Sequence, residues 1–230
     1  MPTDQNHLIE SLPSNSRSRL LAICEPVDLA LGEILGEVDT PTQHVYFPTV
    51  GFISLVTAVK GKPTLEVGMV GREGMLGTQL VLGVESAPLH AVVQGAGAAW
   101  RIGASEFSKE LAHSPALQRE LNRYVFVTMT QLASSAFCLR FHQIGQRLAR
   151  WLLMSQDRAH SDSFHITHEF LAYMLGVRRV GITTAACVLQ REGLIKYSRG
   201  KIQVLNRRGL KASACSCYAT DREAYLKVLG

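Results

Sequence analysis

The residues best placed to do chemistry lie within His168 to Glu192, HEFLAYMLGVRRVGITTAACVLQRE. If its second part is helical, Arg178, Arg179, Val180, Thr183 and Thr184 share an outward face, because positions three and four apart stack on one side of a helix. Two guanidinium groups, two hydroxyls and a branched apolar side chain offer hydrogen-bond donors beside a hydrophobic contact. That mixture suits a nucleic-acid groove. Enzymatic machinery is absent from the sequence: there is no GxSxG, no HExxH, no Walker loop and no dinucleotide fingerprint. The glycine-rich Gly71 to Gly77 also lacks the lysine that follows a phosphate loop. The chain is therefore not expected to be an enzyme.

Two helices must position that face. A steep helix pair needs a small residue at the closest approach, a sharp turn and apolar residues toward a shared core. Ala172, Gly176, Ile182 and Ala185 have this spacing, with Leu171, Leu175 and Val177 filling the core. Thr167 can cap the first helix. The second runs from Arg178 or Arg179 to Glu192 and ends at Gly193. Leu194 to Tyr197 and Ile202 to Leu205 read as strands joined by Ser198, Arg199 and Gly200. A helix-turn-helix followed by a hairpin is a winged helix. Arg199 and Lys201 at its tip would lie beside the phosphate backbone if the preceding helix entered a major groove.

Charge separates the chain into unlike halves. Residues 1–110 carry a net −5 and residues 111–230 a net +10, so only the second half is built for a polyanion. Residues 5–38 alternate in helix-like fashion and predict a short helical lead-in, with Ser14 or Ser16 capping a helix that runs through Ile23. From His44 the texture becomes β-branched and aromatic runs punctuated by glycine, and 12 of the 19 glycines lie before residue 104. This predicts a compact β barrel or roll. Glu106 to Leu111 reads as a short helix. Ser114-Pro115 then opens a helix with no interruption before Gly145.

The stripe Leu117, Leu121, Tyr124, Thr128, Leu132 is assigned to dimerisation, and Val125, Phe126, Met129 and Phe137 lie off it. A helix apolar on several faces must bury more than one of them. One face packs on the roll and another on a second copy, which predicts a parallel homodimer. The fold class is thus α+β: a β-roll sensor domain over 1–112, a long dimerisation helix over 113–141 and a winged helix-turn-helix over 142–230.

This order of parts resembles the bacterial CRP/FNR family of transcription regulators over nearly the whole chain. Gln146 to Asp157, Thr167 to Ile195 and Tyr197 to Val204 are similar to that family's helix, helix-turn-helix and wing. The resemblance implies a sequence-specific regulator binding an inverted repeat in double-stranded DNA, with RNA polymerase as a further partner. It places Arg179, Val180 and Thr184 at the base-reading positions. Arg179 can donate twice to a guanine, worth roughly 1–3 kcal/mol of discrimination. Arg178, Thr183, Arg199 and Lys201 are assigned to phosphates.

In the N-terminal half, EVGMVGREGMLG (Glu66 to Gly77) sits where the family's nucleotide-binding loop begins. Effector-pocket candidates are Glu73, Gly74, Gly77, Leu89 and His90. Where cyclic-nucleotide binders carry an Arg followed by Ser or Thr, this chain has Ser86-Ala87-Pro88-Leu89-His90. No guanidinium can grip a cyclic phosphate there, so cyclic AMP is expected to bind weakly or not at all, and the roll senses something else or is vestigial.

The five cysteines are odd in number and include no CxxC, against both a disulfide scaffold and a zinc ribbon. An iron-sulfur cluster needs four thiolates, and the N-terminal region holds only Cys24. Cys215 and Cys217 could bind a metal or sense oxidants, but read more simply as buried thiols on the last helix. His142, His160, His165 and His168 read as solvated or capping. No metal and no cofactor is expected, the effector being unknown. A redox- or ligand-sensing regulator with a non-nucleotide effector or a metal is the alternative, ahead of a scaffold that does not bind DNA. The chain lacks a signal-peptide apolar run and any span long enough for a bilayer, and is expected in the cytoplasm.

Overall fold

A computed structural model of the chain describes residues 6–57, 64–198 and 200–230. Strands β1 (Glu25–Leu29), β2 (Ile34–Gly36), β3 (His44–Thr57), β4 (Leu65–Val70) and β5 (His90–Gly103) form an antiparallel sheet in the order β1-β5-β3-β4, with β2 also on β5. The two 14-residue strands β3 and β5 are its spine. Midway their register slips repeatedly between Pro48 and Ile53. Gly51 sits there at φ +79°, where a Cβ would lie 2.2 Å from the Gly95 carbonyl oxygen. Only glycine permits that approach. The bulged strands bend and twist, and the sheet closes over itself as the predicted roll.

The N-terminal expectation holds only in part. Helices α1 (His7–Glu10) and α2 (Ser14–Ala22) are present, but no side chain caps α2, and residues 25–29 and 34–36 are strand rather than helix. Their partner decides this. β1 lies along β5 from Glu25↔Arg101 to Leu29↔Gly97, which satisfies its backbone and leaves Leu29 buried.

Helix α3 (Ala104–His113) leads into α4 (Pro115–Phe141), whose first turn is capped by Ser114 accepting from Leu117 N. Its 27 residues span about 40 Å at 1.5 Å per residue. The stripe assigned to a partner requires correction. Leu117, Leu121 and Tyr124 are buried in the roll's own core with Val45, Phe47 and Phe107, while Tyr124, Thr128 and Leu132 line a cavity of the roll. The outward apolar face is a neighbouring stripe: Phe126 and Met129 are 60% and 64% exposed, and Phe137 and Phe141 are exposed below them.

The second half comprises α5 (Ile144–Ala159), β6 (Ser163–His165), α6 (His168–Leu175), α7 (Arg179–Arg191), the hairpin β7 (Ile195–Ser198) and β8 (Lys201–Val204), α8 (Arg207–Ser213) and α9 (Cys217–Leu229). Leu148, Leu152, Leu171, Ile182, Leu189, Ile202 and Leu210 form its core, joined by Phe52 and Met69 from the roll. The two halves also share polar links. Trp151 Nε1 donates to Glu66 at 2.8 Å, and Arg158 pairs with Glu73 at 2.7 Å. Helix α9 returns to pack along α4. Among the described residues no single helix is long and apolar enough to cross a membrane.

Candidate nucleic-acid interface and sensor cavity

The helix-turn-helix forms from local chemistry. Thr167 Oγ1 accepts from Phe170 N at 3.1 Å and starts α6. Gly176, at φ +60°, stops it, and Val177 N donates back to the Ala172 carbonyl at 2.9 Å. The chain then re-enters a helix after a break of three residues, and α7 leaves α6 at 108°. Ile182, Ala185, Ala186 and Leu189 bury the inner side of α7. Its outer side leaves Arg179, Val180, Thr183 and Thr184 exposed, with Arg178 at the N-cap. Val180, at 68%, has no packing role in the chain.

The hydroxyls are partly committed. Thr184 Oγ1 donates to the Val180 carbonyl at 3.0 Å, leaving its methyl and lone pairs outward. Thr183 Oγ1 donates to the Arg179 carbonyl at 3.2 Å and lies 3.0 Å from His168 Nδ1. With its proton given to Arg179, Thr183 holds the start of α7 onto α6 and cannot donate to a phosphate without releasing that bond.

His168, expected from the sequence to be solvated or capping, is tied to the wing and to α7 instead. Its ring stacks on Tyr197 of the wing, with centroids 4.2 Å apart. Burial, and then the Arg179 charge, lower its pKa from the ordinary histidine value.

The wing is a three-stranded sheet, because β6 pairs with β8 on the side away from β7. Gly200, at φ +78°, lies in the turn closed by Ser198↔Lys201. Lys201 is exposed on β8, and Arg199 lies outside the described residues. Gln190 on α7 accepts from Tyr197 N at 2.8 Å, so the wing is fixed to the recognition helix.

The effector candidates do not converge. A cavity of about 390 Å³ lies between the roll and α4, and of the five candidates only Gly77 and Leu89 line it. Glu73 is turned away. Its carboxylate takes Arg158 at 2.7 Å and Gly71 N at 3.2 Å, and it lines a second cavity of about 460 Å³ bounded by Arg72, Arg158, Arg222 and Tyr225. Gly74 packs so closely on Tyr124 that a Cβ would lie 2.0 Å from its hydroxyl oxygen. His90 starts β5, half-buried and outside the 390 Å³ cavity. Among the described residues no lysine or arginine lines that cavity, and its ionisable side chains are Glu37, His44 and Tyr124.

Between the halves, Glu66 accepts from both Ser54 and Trp151. Burial nevertheless outweighs those bonds and pushes its pKa up to about 7.

Comparison with known proteins agrees with this architecture. Residues 146–213 match the model of the Crp-like helix-turn-helix domain. No curated protein matches the sequence. Among solved structures, a transcriptional regulator of the CRP/FNR family from Eubacterium rectale is 18% identical, with a TM-score of 0.70 over 91% of this chain and 99% of that one. FixK2 from Bradyrhizobium japonicum is 15% identical, also at 0.70, over 84% and 98%. The c-di-GMP responsive global regulator CLP of Xanthomonas campestris is 14% identical, at 0.67, over 84% and 99%. These identities establish a common fold. Residues 146–213 are thus a Crp-like helix-turn-helix domain, set in a chain whose fold is that of the CRP/FNR-family structures.

Proposed function

We propose that the chain acts as a homodimer that reads an inverted repeat through α7, and that its roll does not hold a cyclic nucleotide in the manner of the family's cyclic-AMP binders. The exposed face of α7 carries the reading: Arg179, Val180 and Thr184 project from a helix whose opposite side is buried. Arg179 specifies a guanine, Val180 favours a thymine methyl, and Arg178 and Lys201 neutralise phosphates. Two such helices related by a twofold axis read half-sites about one helical turn apart.

The outward stripe on α4 supports the dimer. Phe126, Met129, Ala133, Ala136 and Arg140 follow the alternating three-and-four spacing of a coiled-coil seam, and all five are exposed in the chain alone. A second copy laid along them would cover Phe126 and Met129, while the two alanines allow close approach. For the effector, a cavity whose described lining holds no lysine or arginine is poorly matched to a cyclic phosphate.

The test is selection of bound sequences from a random DNA pool by purified, ligand-free protein at near-physiological salt. Recovery of an inverted repeat with a guanine in each half supports the reading. Salt-sensitive binding with no motif refutes it for the ligand-free protein.

A further inference from the structure

Sequence spacing gave no reason to group Cys138 and His142 with Cys215 and Cys217, yet the fold brings all four together. Their ligand atoms lie within 4.8 Å of one another. Cys138 Sγ is 3.5 Å from Cys215 Sγ, and Cys217 Sγ is 3.6 Å from His142 Nδ1. We propose that these four side chains are a tetrahedral binding site for a divalent metal ion of the zinc class, clipping the last helix to the end of the long one.

A single ion suits this spacing. Bonds of about 2.3 Å to sulfur and 2.0–2.1 Å to nitrogen place two tetrahedral sulfurs roughly 3.8 Å apart and a sulfur and a nitrogen roughly 3.6 Å apart. The Cys138–Cys215 and Cys217–His142 separations, 3.5 Å and 3.6 Å, lie within a few tenths of these. A cubane iron-sulfur cluster has metal and sulfide atoms between its thiolates and would force them well apart. Three cysteines with one histidine is also a donor set typical of closed, structural zinc sites. Closure is met as well, since Cys138, Cys215 and Cys217 are all buried.

Each ligand is placed by ordinary local structure. Cys138 lies in the last turn of α4, and His142 is its C-cap, whose N–H donates to the Cys138 carbonyl at 3.1 Å. Cys215 lies in the turn after α8, held by its N–H to the Gln146 carbonyl, and Cys217 is the first residue of α9. Two short elements from distant parts of the chain thus each supply two ligands.

The surroundings suit the charge. Three thiolates and a neutral imidazole around a divalent ion carry a net −1. Arg147 and Arg150 of α5 are buried beside Cys138. Arg150 pairs with Asp221 through one terminal nitrogen, and its Nε has no acceptor among the described residues. A coordinated thiolate would be that acceptor, in the manner of the outer-shell donors that support metal ligands. Binding releases the three thiol protons to solvent, so affinity rises with pH. The site lies at the His142 joint where α4 gives way to α5, so its occupancy sets how firmly the DNA-binding half is held to the long helix.

The test uses full-length protein, stripped with a chelator under reducing, anaerobic conditions and titrated with Co²⁺ and then Zn²⁺. One equivalent of Co²⁺ per chain is expected to give the strong visible bands of tetrahedral coordination and near-ultraviolet thiolate charge transfer, both bleached by Zn²⁺. Cys217→Ser and Cys138→Ser weaken Co²⁺ binding by about 100-fold or more, beyond the 10–100-fold that loss of a supporting residue causes. Cys24→Ser, in the roll, leaves it unchanged. His142→Cys guards against simple misfolding: it keeps one-equivalent binding and raises the charge-transfer intensity as three thiolates become four. Reduced, folded protein that gives no tetrahedral spectrum overturns the proposal. So does a spectrum unchanged in the Cys138 and Cys217 variants.

Discussion

The outward stripe of α4 makes a sharp prediction, because two phenylalanine and leucine positions five residues apart should behave in opposite ways. Phe126 is 60% exposed in the chain alone and Leu121 is fully buried in the roll's core. Burying a whole phenylalanine side chain is worth about 1.5–3 kcal/mol, so covering the exposed part in a dimer contributes roughly 1–2 kcal/mol per chain, or 2–4 per dimer. At about 1.4 kcal/mol per decade, Phe126→Ala should raise the dimer dissociation constant about 30- to 1,000-fold. The folded chain should lose little, since the removed ring contributes little to its own core. Leu121→Ala should instead cost about 2–5 kcal/mol of unfolding free energy, as for other buried leucines. Sedimentation velocity across a dilution series reads the first quantity, and urea denaturation at fixed concentration reads the second. If Phe126→Ala dimerises as tightly as the parent, the seam is misplaced; if Leu121→Ala is as stable as the parent, so is the core.

Three other outcomes can be checked. Arg179→Ala should lose its preference at one guanine per half-site by roughly 1–3 kcal/mol, while Lys201→Ala should weaken all sequences alike and reduce the salt slope by about 1; competition binding at several salt concentrations separates them, and the reverse pattern removes both assignments. Glu66 holds its proton to about pH 7 in the folded chain but releases it near the ordinary value of 4.5 when unfolded, so it contributes stability that is fully present below pH 4.5 and lost as pH rises toward 7. Glu66→Gln should flatten that part of the stability profile and be the more stable form above pH 7, and a wild-type profile that the substitution leaves unchanged contradicts an uncharged Glu66. For the Glu73–Arg158 pair, Arg158→Met should cost about 3 kcal/mol by stranding a largely buried carboxylate, and adding Glu73→Gln should recover part of it. Strict additivity in that cycle would mean that the roll and α5 are not joined by this pair.

The sequence by itself determined the parts whose physics is local. The small residue, turn glycine and core positions of α6 and α7 lie within about one span of helix. Gly176 adopts the left-handed conformation its place in the pattern required, and the wing hairpin needs only two short apolar runs and a turn. The length of α4 was equally legible from Ser114-Pro115 and the unbroken run that follows.

Tertiary structure decided whatever depended on which partner a side chain meets. Periodicity established that α4 has several apolar faces but not which one the roll takes. The stripe from Leu117 to Tyr124 went inward because Phe47 and Phe107 lie across from it, leaving Phe126 and Met129 outside. Residues 25–29 became strand because β5 offered an edge, which no local preference around Pro26 could reveal. Glu73 lies outside the cavity between the roll and α4 because a guanidinium 85 residues away claims its carboxylate. The Cys138, His142, Cys215, Cys217 cluster is the clearest case. Its two halves are 77 residues apart between Cys138 and Cys215, and only the return of α9 along α4 brings the four donors within reach of one ion.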